Sequence, residues 1–340
     1  MRKIIIALLL LLSILFVLTQ FAQMQKIWET LQRGNVWYLL LAVGFEVLWL
    51  AVLGTSYHVI YDVLGIKEEQ GRVIQLAAAA SFVSVIAPSG GMSGILVFLN
   101  DARTRGHSSG KVTIAGALFM LFDYAGFATI LVLGFSVLYR RNHITWTEIT
   151  ASIILLLIAS GMIALLVLGM KSERMLSDVL AWLSHQVNRI IRPFIHHDYL
   201  SEDRARQFAA DACEGIQAIR YQPPRVFIRP FLLALANKSI MIVIMLLMFL
   251  AFDVPVSAGL VVAGFCVGYL FLIVSPTPSG IGIVEGMLSL ALSSLGVKLA
   301  DATVITLAYR GITFWMPFLV GAVAFRRIVG KKPSNPDNSI

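Results

Sequence analysis

The sequence predicts an all-α integral membrane protein with about six spanning helices and two re-entrant, Pro/Gly-broken hairpins. Three observations carry this. Apolar residues make up 58% of the 340 and charged residues 14%, against about 45–50% and about 25% in soluble domains; mean hydropathy is +0.82. Apolar runs long enough to cross a bilayer recur along the chain. Two further apolar stretches are cut mid-way by Pro and Gly. So little polar sequence remains that residues 1–330 read as one polytopic membrane domain, followed by a flexible tail at 331–340. The net charge of +8 then reports loops and anionic headgroups rather than nucleic acid. Cys213 and Cys266 suggest neither a disulfide framework nor a metal site.

Arg2 and Lys3 precede an apolar run from Ile4 to Leu18. This fits a signal peptide, but no A-x-A pattern follows at Thr19 to Gln23, so a retained first helix is expected. Further spans are predicted at 36–56, 112–138, 149–170, 229–251 and 300–325. The stretch from Val73 to Leu99 is cut by Pro88, Ser89, Gly90 and Gly91, and that from Ser257 to Leu295 by Pro276, Pro278, Ser279, Gly280 and Gly282. Pro removes a donor and Gly favours non-helical angles, so both breaks free backbone polar groups. In hydrocarbon these must be satisfied by protein or by a wet cavity, which places both breaks in the interior, as hinges near a site.

Basic residues orient the chain. They crowd 171–230 and the tail, where Arg326, Arg327, Lys331 and Lys332 lie. With both broken segments re-entrant, these clusters and both termini fall on the cytoplasmic side, and only Arg140-Arg141 is misplaced. The alternative of eight full spans puts 171–230 outside.

Pro88, Ser89, Gly90, Gly106 and Thr113 each sit 190 residues before an identical residue at 278, 279, 280, 296 and 303. This predicts a repeat, with copies at about 73–138 and 257–325, entering from opposite faces as in transporters whose sites lie at discontinuous helices. Residues 171–228 read as an amphipathic cytoplasmic insert. Leu176, Val179, Leu180, Leu183 and Val187 form a helical stripe suited to the headgroup layer, and a second helix starts near Ser201. His185, His196 and His197 have no carboxylate or Cys at ligand spacing, so no metal is expected.

Charges at mid-membrane are costly and mark function by default. Arg310 lies deep in the last span, and Glu285 in the first turn after the second break. Asp123 and Glu46 lie mid-way along their spans, and Tyr309 adjoins Arg310. Lys238 reads as shallower, reaching towards the interface. Arg310 needs a buried carboxylate, a lipid phosphate or both. Two uses follow: a wet cavity holding an anionic headgroup, or structural pairing, such as Glu285 with Arg310.

The segment Pro276-Thr277-Pro278-Ser279-Gly280-Ile281-Gly282-Ile283-Val284-Glu285-Gly286, then Gly296-Val297, Arg310 and Phe314 to Pro317, resembles the transmembrane region of lysylphosphatidylglycerol synthases. Ala87 to Gly91, Arg105-Gly106 and Asp123 resemble the first copy of the same family. The likeness covers roughly 4–328. In the full-length synthases this region is associated with moving aminoacylated phosphatidylglycerol between leaflets, while a soluble C-terminal domain makes that lipid. The chain stops at Ile340, so the resemblance implies transport without synthesis, with a lipid-synthesising enzyme as a possible partner.

The leading expectation is therefore a lipid flippase of a bacterial or archaeal cytoplasmic membrane, acting on an anionic or aminoacylated phospholipid and needing no cofactor. No nucleotide-binding loop is present to make ATP the direct energy source. A membrane-embedded lipid-phosphate hydrolase or transferase is the second reading, but it needs clustered carboxylates, a metal or a nucleophile–base pair. An accessory membrane subunit is the third.

Overall fold

A computed structural model of the chain describes residues 25–86, 94–140, 146–195, 201–275 and 277–330. The predicted first helix at 4–18, the first break at Pro88, Ser89, Gly90 and Gly91, and Pro276 lie outside the described residues, as do His196, His197 and the tail.

The described chain is helical throughout. A helical segment at 25–31 (α1) leads to α2 (Val36–Val63), α3 (Gln70–Ile86), α4 (Ile95–Arg105) and α5 (Ser109–Arg140). Then come α6 (Trp146–Lys171), α7 (Glu173–Ile195), α8 (Glu202–Arg220) and α9 (Ile228–Ala251). The last part holds α10 (Ala258–Val274), α11 (Ile283–Ser294), α12 (Leu299–Arg310), a π-helical turn (Gly311–Trp315) and α13 (Met316–Gly330). Five helical segments are long and apolar enough to span a bilayer: Val36–Val63, Ser109–Arg140, Trp146–Lys171, Pro224–Ala251 and Leu299–Ile328. They coincide with five of the predicted spans. Exposed Leu40, Val132, Leu156 and Leu157 suit lipid contact, and exposed Trp37, Tyr139 and Trp146 sit at one set of helix ends, as an aromatic belt does.

The last predicted span is not one continuous helix. It is interrupted just after Arg310 by the π turn. Pro317 lacks the N–H that would close a regular bond to the turn before it, and a π turn absorbs such a break.

The two broken segments share a plan. In each, a 17-residue helix (α3, α10) precedes a short helix of 11 or 12 residues (α4, α11), a glycine of positive φ and a long helical segment. The two glycines are Gly106, at φ 73°, and Gly296, at φ 101°. Seventeen residues rise about 26 Å, short of a full span. Arg72 at the start of α3 pairs with Asp101 near the end of α4, and Glu68 accepts from Arg105 at 3.2 Å. The first broken segment thus begins and ends at one end of the molecule. Likewise α10 and α11 run antiparallel, with Gly264 against Leu292 and Gly268 against Leu288.

Packing is exchanged between the copies. α3 lies against α13, and α10 against α5. The first contact is close: a Cβ on Gly321 would stand 2.3 Å from the Ala78 carbonyl oxygen. The helices preceding the copies, α2 and α9, also pack together. The Asn35 N–H, at the start of α2, donates to the Ala251 carbonyl at the end of α9 (2.7 Å), so these two run antiparallel. Asn35 also caps α2, its side chain accepting the Trp37 N–H at 3.0 Å.

The insert is a helical pair, α7 and α8, docked on α5 and α6. Ser108 donates to Glu214 at 2.6 Å, and Gly110 lies against the Asp211 backbone. The 171–228 insert and the 101–111 basic turn therefore occupy the same end of the molecule, and Gln222 ties the end of α2 to it through the Val63 carbonyl (3.2 Å). The predicted single stripe on α7 is divided. Leu176 is buried with Ala181, Ser184 and Asn188, while Leu183 is exposed with Met175 and Trp182. One face of α7 meets α8 and the other is left apolar and open, because α8 supplies Ala209, Ala212 and Ile216, which join Leu176 to the core cluster of Ile114 and Leu166.

Candidate functional site

The second break builds a charged centre. After Val274 the chain leaves the helix, and Ser279, Gly280 and Gly282 take φ of 49°, 72° and 82°. Gly relieves the Cβ clash that this region imposes. α11 then starts with its N-terminus facing Glu285, whose Oε2 accepts the Gly282 N–H at 2.7 Å. A carboxylate here satisfies an orphan donor and meets the positive helix end. Its other oxygen, Oε1, accepts from Arg310 Nε at 2.8 Å. Arg310 Nη2 donates to the Ser279 carbonyl at 2.9 Å, and the guanidinium lies 4.8 Å from the Phe314 ring centroid. The Arg310 and Glu285 side chains are 7% and 12% exposed, so two full charges are balanced within the apolar interior.

Glu285 is reachable from one side. A shallow groove is lined by Glu285, Gly286, Ser289 and Leu290 of α11 and by Leu299, Thr303 and Leu307 of α12. Leu290 and Leu299 are exposed.

A second buried charge cluster joins the two halves. Lys238 on α9 donates to Asp123 Oδ1 on α5 at 2.5 Å, and Tyr269 on α10 donates to Asp123 Oδ2 at 2.6 Å. The Lys238 ammonium is within 2.5 Å of the Tyr269 hydroxyl. Lys238 does not reach the interface, as its sequence position suggested. Its side chain is 3% exposed, because the carboxylate it needs lies on a neighbouring span. Tyr269 was not singled out by sequence, and the only signal was that a lysine inside an apolar run requires an acid.

The remaining candidates separate. Glu46, fully buried on α2, has no hydrogen-bond partner among the described residues. Tyr309 is buried, and its hydroxyl lies 3.6 Å from Met241 Sδ. Thus Arg310, Glu285, Ser279, Gly280 and Gly282 come together, Asp123 belongs to the other cluster, and Glu46 joins neither.

Comparison with known proteins places this arrangement. Residues 4–321 match the family described as lysylphosphatidylglycerol synthase TM region. A UPF0104 membrane protein of Methanocaldococcus jannaschii is 22% identical, covering 95% of this chain and 96% of that protein. Another, of Methanothermobacter thermautotrophicus, is 20% identical over 88% of each chain.

Proposed function

The chain belongs to the lysylphosphatidylglycerol synthase TM region family, and from that membership we propose that it is a lipid translocase rather than an enzyme. Its cargo is the headgroup of an anionic or aminoacylated phospholipid, moved between leaflets while the acyl tails stay in lipid. The observation that carries this reading is the buried Arg310–Glu285 pair, of which Glu285 lines the groove between α11 and α12. Glu285 holds the position that suits a phosphate, being paired to a guanidinium and seated at a helix N-terminus. An arriving headgroup exchanges with Glu285 for Arg310, and Glu285 takes Arg310 back when the headgroup leaves.

The broken segments are re-entrant halves of an inverted repeat in this reading. The meeting of the ends of α3 and α4 and the antiparallel course of α2 and α9 support it. The basic end carrying the insert and both chain termini then face the cytoplasm, and the α7 face bearing Met175 and Trp182 rests in the headgroup layer.

The test is transbilayer movement of labelled phosphatidylglycerol and lysylphosphatidylglycerol in liposomes holding wild type or Arg310→Lys. The expected result is protein-dependent movement that falls at least tenfold in Arg310→Lys, which keeps the charge but loses the planar fork. Equal movement by a folded Arg310→Lys would overturn the role of the guanidinium. Absence of movement for every lipid class, with and without ion gradients, would overturn the transport reading.

A further inference from the structure

The buried cations of the described interior are committed. Lys238 goes to Asp123 and Tyr269, Arg310 to Glu285 and the Ser279 carbonyl, and Arg72 to Asp101. Glu46 is the acid left over. It is 0% exposed, and neither carboxyl oxygen has a hydrogen-bond partner among the described residues. It lies ten residues into α2, about 15 Å along the helix and so about half a bilayer deep. One turn along α2, Trp49 Nε1 also lacks a partner among the described residues.

The elements packed on α2 are α3, α5, α9, the π turn and α13. Towards the interior α3 offers Arg72, α5 offers Asp123 and Tyr124, and α9 offers Lys238; the π turn follows Tyr309 and Arg310, and α13 carries only Arg326 and Arg327 near its end. Tyr309 is within electrostatic reach of Glu46. No cation in this set is available to Glu46. Among the described residues, a carboxylate charge placed there would have no hydrogen bond and no counter-ion, in a medium that penalises both lacks. The side chain is stable in this conformation as the neutral acid.

We infer that Glu46 is a reversible proton-binding site in the membrane interior. When α2 and the π turn part far enough to admit water, the O–H bond of Glu46 breaks. The electron pair stays on the carboxylate and the proton passes to water; the reverse step restores the acid. Resting on the transport reading above, this site couples lipid movement to a proton gradient. Tyr309 is within electrostatic reach of both Glu46 and the adjoining Arg310, so a charge appearing on Glu46 is felt beside the headgroup site.

The test uses the full chain in nanodiscs and liposomes, with Glu46→Gln and Glu46→Asp checked for folding by size-exclusion chromatography. Infrared spectra at neutral pH should show the carbonyl stretch of a neutral carboxylic acid that Glu46→Gln lacks, and that Glu46→Asp retains at shifted frequency. In wild type this band should fall reversibly as pH is raised. A spectrum unchanged by Glu46→Gln, or a band that never titrates, overturns the site. In liposomes, an imposed pH gradient should change the initial rate of phosphatidylglycerol movement several-fold in wild type, and that ratio should fall to one in Glu46→Gln. An equal ratio in both overturns the coupling. A wild type that moves no lipid overturns the transport reading and the coupling, while the infrared band decides the proton site separately.

Discussion

Arg310 and Glu285 meet across a break in which one carboxylate serves two partners. Its Oε1 accepts from the guanidinium at 2.8 Å, and its Oε2 accepts the Gly282 N–H at the start of α11 at 2.7 Å. Arg310 in turn holds the Ser279 carbonyl at 2.9 Å. The pair therefore fixes the shape of the break as well as balancing charge.

Removing one partner strands a buried charge, at a cost of about 3–5 kcal/mol, whereas replacing both with apolar residues is often neutral. We expect Arg310→Met to lower the thermal midpoint in detergent sharply. Arg310→Met with Glu285→Leu should recover most of the loss while remaining inactive in lipid movement. A double variant as unstable as the single one would show that the pair's hydrogen bonds to the break outweigh its charge balance.

The Asp123–Lys238–Tyr269 cluster links α5, α9 and α10. Lys238→Met should destabilise by about 3–5 kcal/mol. The double-mutant cycle with Asp123→Asn should give a coupling energy of about 1–3 kcal/mol, read from denaturation in mixed micelles. A coupling near zero would contradict the geometry.

Gly321 is packed on the backbone of α3, where a Cβ would lie 2.3 Å from the Ala78 carbonyl oxygen. Backbone cannot move aside as a side-chain tip can. Gly321→Ala should therefore destabilise by about 1–3 kcal/mol, and Gly321→Val by more. Thermal unfolding followed by loss of monodispersity measures this; a neutral Gly321→Val would argue against the α3–α13 contact.

Ser279 holds φ 49° without being glycine. Ser279→Gly should leave stability unchanged or raise it by up to about 1 kcal/mol, and Ser279→Val should lower it. The opposite order would show that the serine hydroxyl, not the backbone shape, is what this position needs.

Cys213 is buried on α8 against Gly169. Burial, reinforced by the Glu173 carboxylate, raises its thiol above the ordinary value. The thiol is thus protonated and unreactive at neutral pH. In a Cys266→Ala background, alkylation should be slow and should accelerate about tenfold per pH unit well into the alkaline range. Rapid labelling at neutral pH would mean that α8 is not docked on α6.

Five spans were legible because hydrophobicity over some twenty residues is a local property, and Val36–Val63 or Trp146–Lys171 can be recognised without their neighbours. The second break was legible for the same reason: Pro278, Gly280 and Gly282 constrain the backbone wherever they stand. The interruption after Arg310 was not legible. Pro317 announces a break, but whether it becomes a kink or a π turn depends on contacts such as that between Gly311 and Ile27.

The sequence by itself determined that this is a membrane protein, where five of its candidate spans lie, and that Arg310, Glu285, Asp123 and Glu46 are expensive residues needing an explanation. Only the tertiary structure decided who answers whom. Asp123 and Lys238 are 115 positions apart, and Asp123 and Tyr269 146 apart, so no local pattern links them. Their partnership follows from α5, α9 and α10 packing together. Among the described residues, the same packing leaves Glu46 without a counter-charge. Pairing a buried charge is a contest among all groups within a few ångströms, and those distances exist only once the helices have assembled.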